Sequence, residues 1–386
     1  MSSRTAKIIV SILMLTSLLV IIMSATGLFG SAKQPANSNQ GTANTINSDP
    51  VITSAIELQN LTIKIIEPEP TPATGLRRWP AESLLPVIHM FDPADYQGRP
   101  LNQKPLDGIS VILDPGHGGQ DGGTIYPENS SDPIILEKDV TLAIGLKARS
   151  LLEALGAEVI MTRNGDDWKS LYNRISQVGI YALERFKTDL PTKGYTTTVI
   201  DHLQPQLETM IEINSDNGDN GGRGMMQGAG ANNDSRLLFD VEQQYPDVLF
   251  ISLHCNALSN ASSVRGAQVY YETTESCYEA ESLMIAGSLS TANSPAYTFY
   301  NDAGRERLAT LLRDNFLIQQ PDMKFTGEND LLPSNYAVLR EMNVVNALIE
   351  MGFVTNEQDR QILLDPNGQQ KIAQAVTDSV YAYYCQ

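Results

Sequence analysis

The stretch Ile109-Ser110-Val111-Ile112-Leu113-Asp114-Pro115-Gly116-His117-Gly118-Gly119 decides how the rest of the sequence is interpreted. Its first part is a short apolar run rich in β-branched residues, which is typical of a buried strand. Pro115 and Gly116 end that run, because a Pro-Gly pair marks a turn or loop. The stretch therefore predicts a strand at 109–114 that delivers His117 to the loop just past its end.

Strands and helices alternate downstream of this stretch. A helix is predicted over 137–155, where apolar residues recur at helical spacing and Gly156 follows as a stop signal. The other predicted elements are strands at 158–162, 248–253, 267–271 and 344–349 and helices at 302–317 and 367–383. This alternation indicates βαβ units. We therefore predict an α/β fold with a single mixed, largely parallel sheet and helices on both faces.

Two of the four histidines follow predicted strands. His117 follows the first strand, and His254 follows the strand at 248–253. Ligands of open α/β sheets bind at the carboxyl ends of strands, so the two imidazoles can converge on one metal ion. The alternative is that each histidine is structural or solvated, as a single histidine after a strand usually is.

A third metal ligand is expected to be a carboxylate or another imidazole. Glu137 begins the helix after the His117 loop, and Glu128 and Asp132 are rivals by position alone. Glu137 also has an ordinary alternative role, since acidic residues in a first helical turn complement the helix dipole. Two histidines and one glutamate with an open fourth position are typical of catalytic zinc. Imidazole ligands favour zinc over magnesium.

Metal-assisted hydrolysis also needs a base that takes a proton from water and returns it to the leaving group. Glu350 ends the apolar strand at 344–349. A carboxylate at the tip of a buried strand is costly unless it has a partner, so Glu350 is a candidate acid/base beside a metal. The alternative is an ordinary exposed glutamate at a strand end.

The N-terminus predicts export. Arg4 and Lys7 precede an almost purely apolar run at 8–23, and no charge occurs again before Lys33. The uncharged stretch is long enough to span a bilayer as a helix, and positive charge before it places the following chain outside. We predict a signal peptide or membrane anchor over 1–32, with an anchor favoured because secretory apolar regions are usually shorter.

Residues 33–107 predict a low-complexity spacer followed by a Pro-rich stalk. Asn, Ser, Thr, Gln, Ala and Gly dominate up to about residue 56, a composition that cannot bury a core. Prolines interrupt the apolar pieces that follow, so this part is either a stalk or a wrap onto the next domain. The α/β domain is then expected to cover 108–386.

The charge balance excludes one class of function. The 386 residues include 27 Lys and Arg against 45 Asp and Glu, for a formal net charge of −18. Binding to nucleic acid depends on clustered lysines and arginines that neutralise phosphates, and no basic stripe follows the first few residues. We therefore predict no nucleic-acid partner.

One stretch of the α/β domain is longer than a crossover connection requires. Its middle, about 184–235, is predicted to be an insertion that contains turn-like and Gly-rich segments. After His202, the residues Leu203, Leu207, Met210 and Ile211 can form one face of a short amphipathic helix. The insertion is either a surface elaboration or a lid or regulatory element over the active site, because long loops in compact domains are often functional.

Four motifs occur in a fixed order along the chain. They are Ile112-Leu113-Asp114-Pro115-Gly116-His117-Gly118-Gly119, Leu136-Glu137-Lys138-Asp139, Ser252-Leu253-His254-Cys255-Asn256-Ala257 and Ile349-Glu350-Met351-Gly352-Phe353-Val354-Thr355-Asn356. In this order the chain resembles the zinc-dependent N-acetylmuramoyl-L-alanine amidases of bacterial cell walls. The resemblance covers about 108–384, and the predicted insertion interrupts it.

The resemblance implies zinc bound by His117, Glu137 and His254, with Glu350 as the catalytic acid/base. It thereby favours Glu137 over its rivals for the third ligand. Arg340 matches a family arginine near the site and is a candidate for orienting the substrate; its alternative is a surface salt bridge. The insertion is not a core element of the family, so the resemblance implies no role for it.

The implied activity is hydrolysis of the amide bond between N-acetylmuramic acid and L-alanine in peptidoglycan, outside the cytoplasm. Expected partners are peptidoglycan, the membrane if the N-terminal helix is uncleaved, and an unspecified regulatory protein. The alternatives are another zinc-dependent peptidase of the cell wall and a wall-binding relative that has lost turnover.

Overall fold

A computed structural model gives the fold of the protein. The structure describes residues 77–226, 230–285 and 296–386, together with short strand segments at 57–58, 61–62 and 69–70. The predicted membrane helix within 1–32 and the polar spacer that follows it lie outside the described residues. Within those described ranges, no helix combines the length and the apolar character that crossing a membrane requires.

A six-stranded sheet forms the centre of the domain. In chain order its strands are β1 (Ser110–Pro115), β2 (Glu158–Met161), β3 (Val248–Asn256), β4 (Gln268–Tyr271), β5 (Leu331–Pro333) and β6 (Val345–Phe353). Across the sheet they lie in the order β5-β4-β6-β3-β1-β2. Strands β2, β1, β3 and β6 run parallel to one another, whereas β4 is antiparallel to β6 and parallel to β5. The predicted mixed, largely parallel sheet is confirmed.

Helices connect these strands. They are α1 (Glu137–Ala154), α2 (Leu171–Asp189), α3 (Thr198–Ile213), α4 (Asn233–Glu242), α5 (Thr274–Ile285), α6 (Asp302–Gln319), α7 (Ala337–Arg340), α8 (Glu357–Leu364) and α9 (Pro366–Cys385). The three helices predicted from periodicity correspond to α1, α6 and α9, with ends that differ by one or two residues. These helix predictions are confirmed.

Each face of the sheet carries its own apolar core, because successive strand side chains point to opposite faces. On β1, Val111 and Leu113 face one core, and Ile112 faces the other. Helices α1, α6 and α9 cover the first face, and α2, α3 and α4 cover the second. The strands are thus buried on both sides, as an α/β fold requires.

Residues within the predicted insertion supply part of the second core. Leu203, Leu207 and Met210 of α3 are fully buried against α2, as the apolar pattern of this helix predicts, and Ile211 is only partly buried. The sequence-derived start of the insertion at about 184 falls inside α2. Helix α2 therefore continues past the predicted boundary, and α3 packs on the same face of the sheet.

The segment before β1 packs on the domain. Leu85 and Ile88 are buried in the second core, and Tyr96 and Leu106 are buried in the first. Backbone bonds support this contact, since the Gly98 N–H donates to the Cys385 carbonyl at 2.9 Å. Residues 85–106 of the Pro-rich stretch thus lie along both layers of the α/β domain.

Candidate active site

Three strands bring the predicted site residues to one edge of the sheet. His117 follows β1, His254 lies near the end of β3, and Glu350 lies in β6. The register pairs Glu350 with His254, and the pairing becomes irregular between Glu350 and Phe353. An irregularity of this kind bends a strand and redirects its side chains, and it is frequent next to active sites.

Two glycines of the loop after β1 leave room for the site. A Cβ atom on Gly116 would collide with the His254 ring, and a Cβ atom on Gly123 would lie 2.5 Å from Glu137 Oε2. Gly123 also has a φ of +67°, a region that favours glycine. The Gly-rich character of the loop is therefore required by the side chains that it surrounds.

His117, Glu137 and His254 form a compact group of possible metal ligands. One ligand atom from each residue lies within 4.8 Å of the others, and no other group of this kind occurs in the described part of the chain. Glu137 Oε1 lies 3.2 Å from His117 Nε2 and 3.0 Å from His254 Nδ1. The structure thus brings together the three residues that the sequence selected, while Glu128 and Asp132 lie exposed outside the group.

Backbone donors fix the buried carboxylate of Glu137, whose side chain is 2% exposed. The Cys255 N–H donates to Oε1 at 2.8 Å, and the Thr124 N–H donates to Oε2 at 2.7 Å. The carboxylate cannot rotate without breaking both bonds. Its position is therefore set by the protein backbone.

The charges of the group favour a bound cation. Burial acts to raise the pKa of Glu137, but bonds to His117 and His254 outweigh it and lower that pKa. Burial likewise acts to lower the pKa of His117, but Asp121 and Glu137 outweigh it and raise that pKa to about 10. The carboxylates of Asp121 and Glu137 thus stabilise positive charge on His117, which lies between them. Two imidazoles and a carboxylate are also the donor set of catalytic zinc sites.

Glu350 lies next to this group and has an unsatisfied oxygen. Its Oε2 atom is buried and has no hydrogen-bond partner among the described residues. Burial and the negative charge of Glu137 raise the pKa of Glu350, with partial relief from His117. An isolated carboxyl group with a raised pKa in a cleft is typical of a residue that exchanges protons during catalysis.

Sequence reasoning missed Asp121, which orients His117. Asp121 Oδ2 lies 2.8 Å from His117 Nδ1, and its other carboxylate oxygen accepts the Gly123 N–H at 3.0 Å. Histidines that bind metals commonly use their second nitrogen in this way, which fixes the ring and its tautomer. The signal available in the sequence was an acidic residue four positions after the histidine, within the same Gly-rich loop.

A buried ion pair under the loop was also missed. Arg174 of α2 donates to Asp114 Oδ1 at 2.5 Å and to the carbonyl oxygens of Pro115 at 2.9 Å and His117 at 2.5 Å. Ser252 donates to the second oxygen of Asp114 at 2.7 Å. Arg174 thus ties the end of β1 and the His117 backbone to α2, which no local pattern predicts.

Arg340 ends α7 and is largely enclosed, with its side chain 12% exposed. Its guanidinium donates to Asn335 Oδ1 at 2.7 Å and lies 3.2 Å from Glu341 Oε1. Its positive charge acts to lower the pKa of Tyr172, the second residue of α2. Arg340 therefore belongs to a polar network beside the start of α2 and is not a member of the His117 group.

The sequence profile of the N-acetylmuramoyl-L-alanine amidase family matches residues 111–382, more than half of the chain. The chain belongs to this family. The resemblance found in the sequence is confirmed, and family membership supports hydrolysis of peptidoglycan amide bonds by this chain.

The individual relatives are only distantly similar to this chain in sequence. A germination-specific N-acetylmuramoyl-L-alanine amidase of Bacillus subtilis is 25% identical over 283 residues, covering 72% of this chain and 81% of that protein. The probable cell wall amidase LytH of Staphylococcus epidermidis is 23% identical over 292 residues, covering 76% of this chain and 63% of that protein. The solved CwlD amidase of Clostridioides difficile, in complex with the GerS lipoprotein, has a TM-score of 0.42 and 22% identity, covering 71% of this chain and 98% of that one.

Proposed function

We propose that this amidase-family chain hydrolyses the bond between the lactyl group of N-acetylmuramic acid and L-alanine, using zinc held by His117, Glu137 and His254. The observation that carries the proposal is the placement of the unpaired Glu350 carboxyl beside this group of ligands. Family membership supplies the substrate class.

The donor atoms fit zinc because two imidazole nitrogens and one carboxylate oxygen lie within 4.8 Å of one another. His117 Nε2 and His254 Nδ1 both face Glu137 Oε1, while Asp121 occupies the other nitrogen of His117. When bound, zinc supplies a Lewis acid that polarises the amide carbonyl and lowers the pKa of water.

Glu350 carries the proton in this proposal. Its carboxylate accepts a proton from the attacking water and then donates that proton to the nitrogen of the departing L-alanine. The raised pKa of Glu350 suits both steps, because an acid/base works best when its pKa lies near the operating pH. The buried Oε2 atom has no competing hydrogen bond among the described residues, so it is available to water and substrate.

Arg340 is proposed to orient the substrate rather than to take part in bond cleavage. Its enclosed guanidinium is held by Asn335 and Glu341, which gives it a fixed direction.

We also propose that the protein acts outside the cytoplasm. The predicted N-terminal segment at 1–32 either anchors it in the membrane or is cleaved from it. A regulatory partner stays a prediction for this chain.

Digestion of purified peptidoglycan tests the function. The zinc-loaded protein is expected to release new amino termini that belong to L-alanine, and Glu350→Gln is expected to release almost none. New termini at other residues would indicate a peptidase that cuts within the stem. Tight binding to the wall without new termini would indicate a wall-binding protein that has lost turnover, and either result would contradict the proposal.

A further inference from the structure

The turn after α3, residues 214–226, is fixed to the chain just before α2. Asn214 Oδ1 accepts the Ser170 N–H at 3.0 Å, and Asn214 Nδ2 donates to the Trp168 carbonyl at 3.2 Å. Asp216 Oδ1 accepts the Leu171 N–H at 2.6 Å. We call residues 214–226 the exit turn. Three hydrogen bonds hold the exit turn in one position relative to the start of α2.

The segment that holds the exit turn lies against the His117 loop. A Cβ atom on Gly119 would come within 2.7 Å of the Trp168 backbone nitrogen. The pKa of Asp216 is raised by burial and also by the charge of Asp121, the residue that orients His117. The exit turn is therefore a neighbour of the candidate active site, at the same edge of the sheet.

Arg223 in the exit turn has no acceptor among the described residues. Its Nε atom is buried without a hydrogen-bond partner, and its guanidinium carbon lies 5.9 Å from the centroid of the Tyr172 ring. Enclosing part of a guanidinium without an acceptor is unfavourable. Such a group is unusual in a chain whose net charge is −18, where acidic side chains outnumber basic ones.

Glu341, whose carboxyl group feels the charge of Arg223, already pairs with another arginine. Glu341 Oε1 lies 3.3 Å from Arg340 Nε and 3.2 Å from Arg340 Nη2. Burial and the charge of Glu341 raise the pKa of Tyr172 to about 12, while Arg223 and Arg340 act in the opposite direction. Two guanidiniums and two carboxylates, those of Glu341 and Asp216, thus act on Tyr172. The hydrogen-bond capacity that stays unused here is the buried Nε atom of Arg223.

We propose that Arg223 binds a free carboxylate of the stem peptide, on the L-alanine side of the bond that is cut. Guanidinium groups pair with carboxylates through two parallel N–H···O bonds, which gives both strength and direction. The exit turn belongs to the predicted insertion, so this contact would be a specificity feature of this chain. The inference rests on the proposed function, which brings a stem peptide with free carboxylates to this edge of the sheet.

Two soluble muramoyl peptides test the inference. They differ only in whether the acidic residue after L-alanine has a free carboxylate or a carboxamide. A hydrogen bond to a charged group adds about 1.5–3 kcal/mol, so the kcat/KM of the parent protein is expected to be about 10- to 100-fold higher for the acid. Equal kcat/KM for the two peptides would overturn the inference without any mutation.

Variants locate the effect at Arg223. Arg223→Gln is expected to lower kcat/KM for the acid to the value for the amide, and Arg223→Lys is expected to keep part of the preference. The matched control is Arg149→Gln on the exposed side of α1, where Arg149 pairs with Glu153. That control is expected to keep the full preference.

The outcomes separate the inference from the function on which it rests. Cleavage of both peptides with a preference that survives Arg223→Gln would assign the preference to another residue and overturn the inference alone. Cleavage of neither peptide by the zinc-loaded parent protein would overturn the proposed function and the inference with it. If Arg223→Gln fails to fold, the ratio for the parent and that for Arg223→Lys still decide the matter.

Discussion

Glu350 and His254 occupy paired positions on the neighbouring parallel strands β6 and β3. His254 Nδ1 faces Glu137 at 3.0 Å, whereas the buried Oε2 atom of Glu350 has no hydrogen-bond partner in the described part of the chain. Adjacent strands thus deliver one candidate ligand and one candidate acid/base to the same edge. Register, rather than a flexible loop, sets their separation.

Replacing Glu350 by Gln is expected to lower kcat by about 10²- to 10⁴-fold, the usual contribution of general acid/base catalysis. Bound zinc is expected to stay near the parent level, because Glu350 is not in the ligand group. The measurement is single-substrate hydrolysis together with metal analysis of the same sample. Glu357→Gln, an exposed position in α8, is the control and is expected to behave as the parent. A Glu350→Gln variant that cleaves at the parent rate would contradict the assigned role.

Replacing Asp121 by Asn is expected to weaken zinc binding by about 10- to 100-fold, as loss of a group that orients a metal-binding histidine usually does. The substitution weakens the hydrogen bond between Asp121 Oδ2 and His117 Nδ1. Zinc affinity is measured by competition with a coloured chelator. Asp132→Asn, an exposed position in the same connection, is the control. Equal affinities for the parent protein and Asp121→Asn would show that His117 needs no orienting partner.

Zinc is expected to raise the thermal midpoint of the parent protein, because a ligand that binds only the folded state stabilises it. At a free zinc concentration of 100 times Kd, the gain in the free energy of unfolding is about 2.7 kcal/mol. His254→Ala removes one of the three ligands and is expected to lose most of this gain at the same zinc concentration. Calorimetry with and without chelator measures the difference. A midpoint that does not respond to zinc in the parent protein would argue against a site at these residues.

The carboxyl ends of the strands could be predicted from sequence. The placement of His117 and His254 at those ends followed from the same signal. Apolar runs that stop at Pro115-Gly116 or at His254 carry a local signal, and parallel strands end at one edge of a sheet. The third ligand carries no such local signal. Which of Glu137, Glu128 and Asp132 lies beside the histidines depends on the path of the loop between β1 and α1. Only the structure shows Glu137 buried under the histidines.

Long-range partners could not be predicted. Arg174 meets Asp114 across 60 positions of sequence, and each residue alone has the pattern of an ordinary strand or helix residue. The predicted boundary near 184 falls inside α2 for a related reason. The apolar face of α2 gains its partner only when α3 packs against it, and local periodicity does not show that contact.

Leu207→Ala tests whether α3 is part of the core. Leu207 is fully buried against α2, so its truncation is expected to lower the free energy of unfolding by about 2–5 kcal/mol. Glu208→Ala, the next and exposed position, is expected to change it by less than about 0.5 kcal/mol. Urea denaturation followed by circular dichroism gives both values. A small effect of Leu207→Ala would mean that the insertion unfolds independently of the sheet.

Glu242 is expected to give the stability of the protein a pH dependence that is separate from the metal group. This last residue of α4 is fully buried; its Oε2 atom accepts the Asn343 N–H at 2.5 Å, and its Oε1 atom has no hydrogen-bond partner in the described ranges. Burial raises the pKa of Glu242 from 4.5 to about 8, against the opposing effects of Asn343 and Arg305. Between those two values the folded protein keeps a proton that the unfolded chain has lost.

The sign of the effect follows from this difference in bound protons. Stability falls as pH rises wherever the folded state binds more protons. Glu242 therefore lowers the free energy of unfolding across the window from 4.5 to about 8, by at most about 1.4 kcal/mol per pH unit, and adds no slope outside that window. The variant Glu242→Gln tests this sign, because its side chain stays neutral and keeps an acceptor for Asn343.

The stability of Glu242→Gln relative to the parent is therefore expected to be greater at the alkaline end of the window than at the acidic end. The measurement is urea unfolding at several pH values, with the exposed Glu212→Gln as the control. If the profiles of Glu242→Gln and the parent run parallel, Glu242 does not hold the proton and its buried carboxylate is ionised in the folded state.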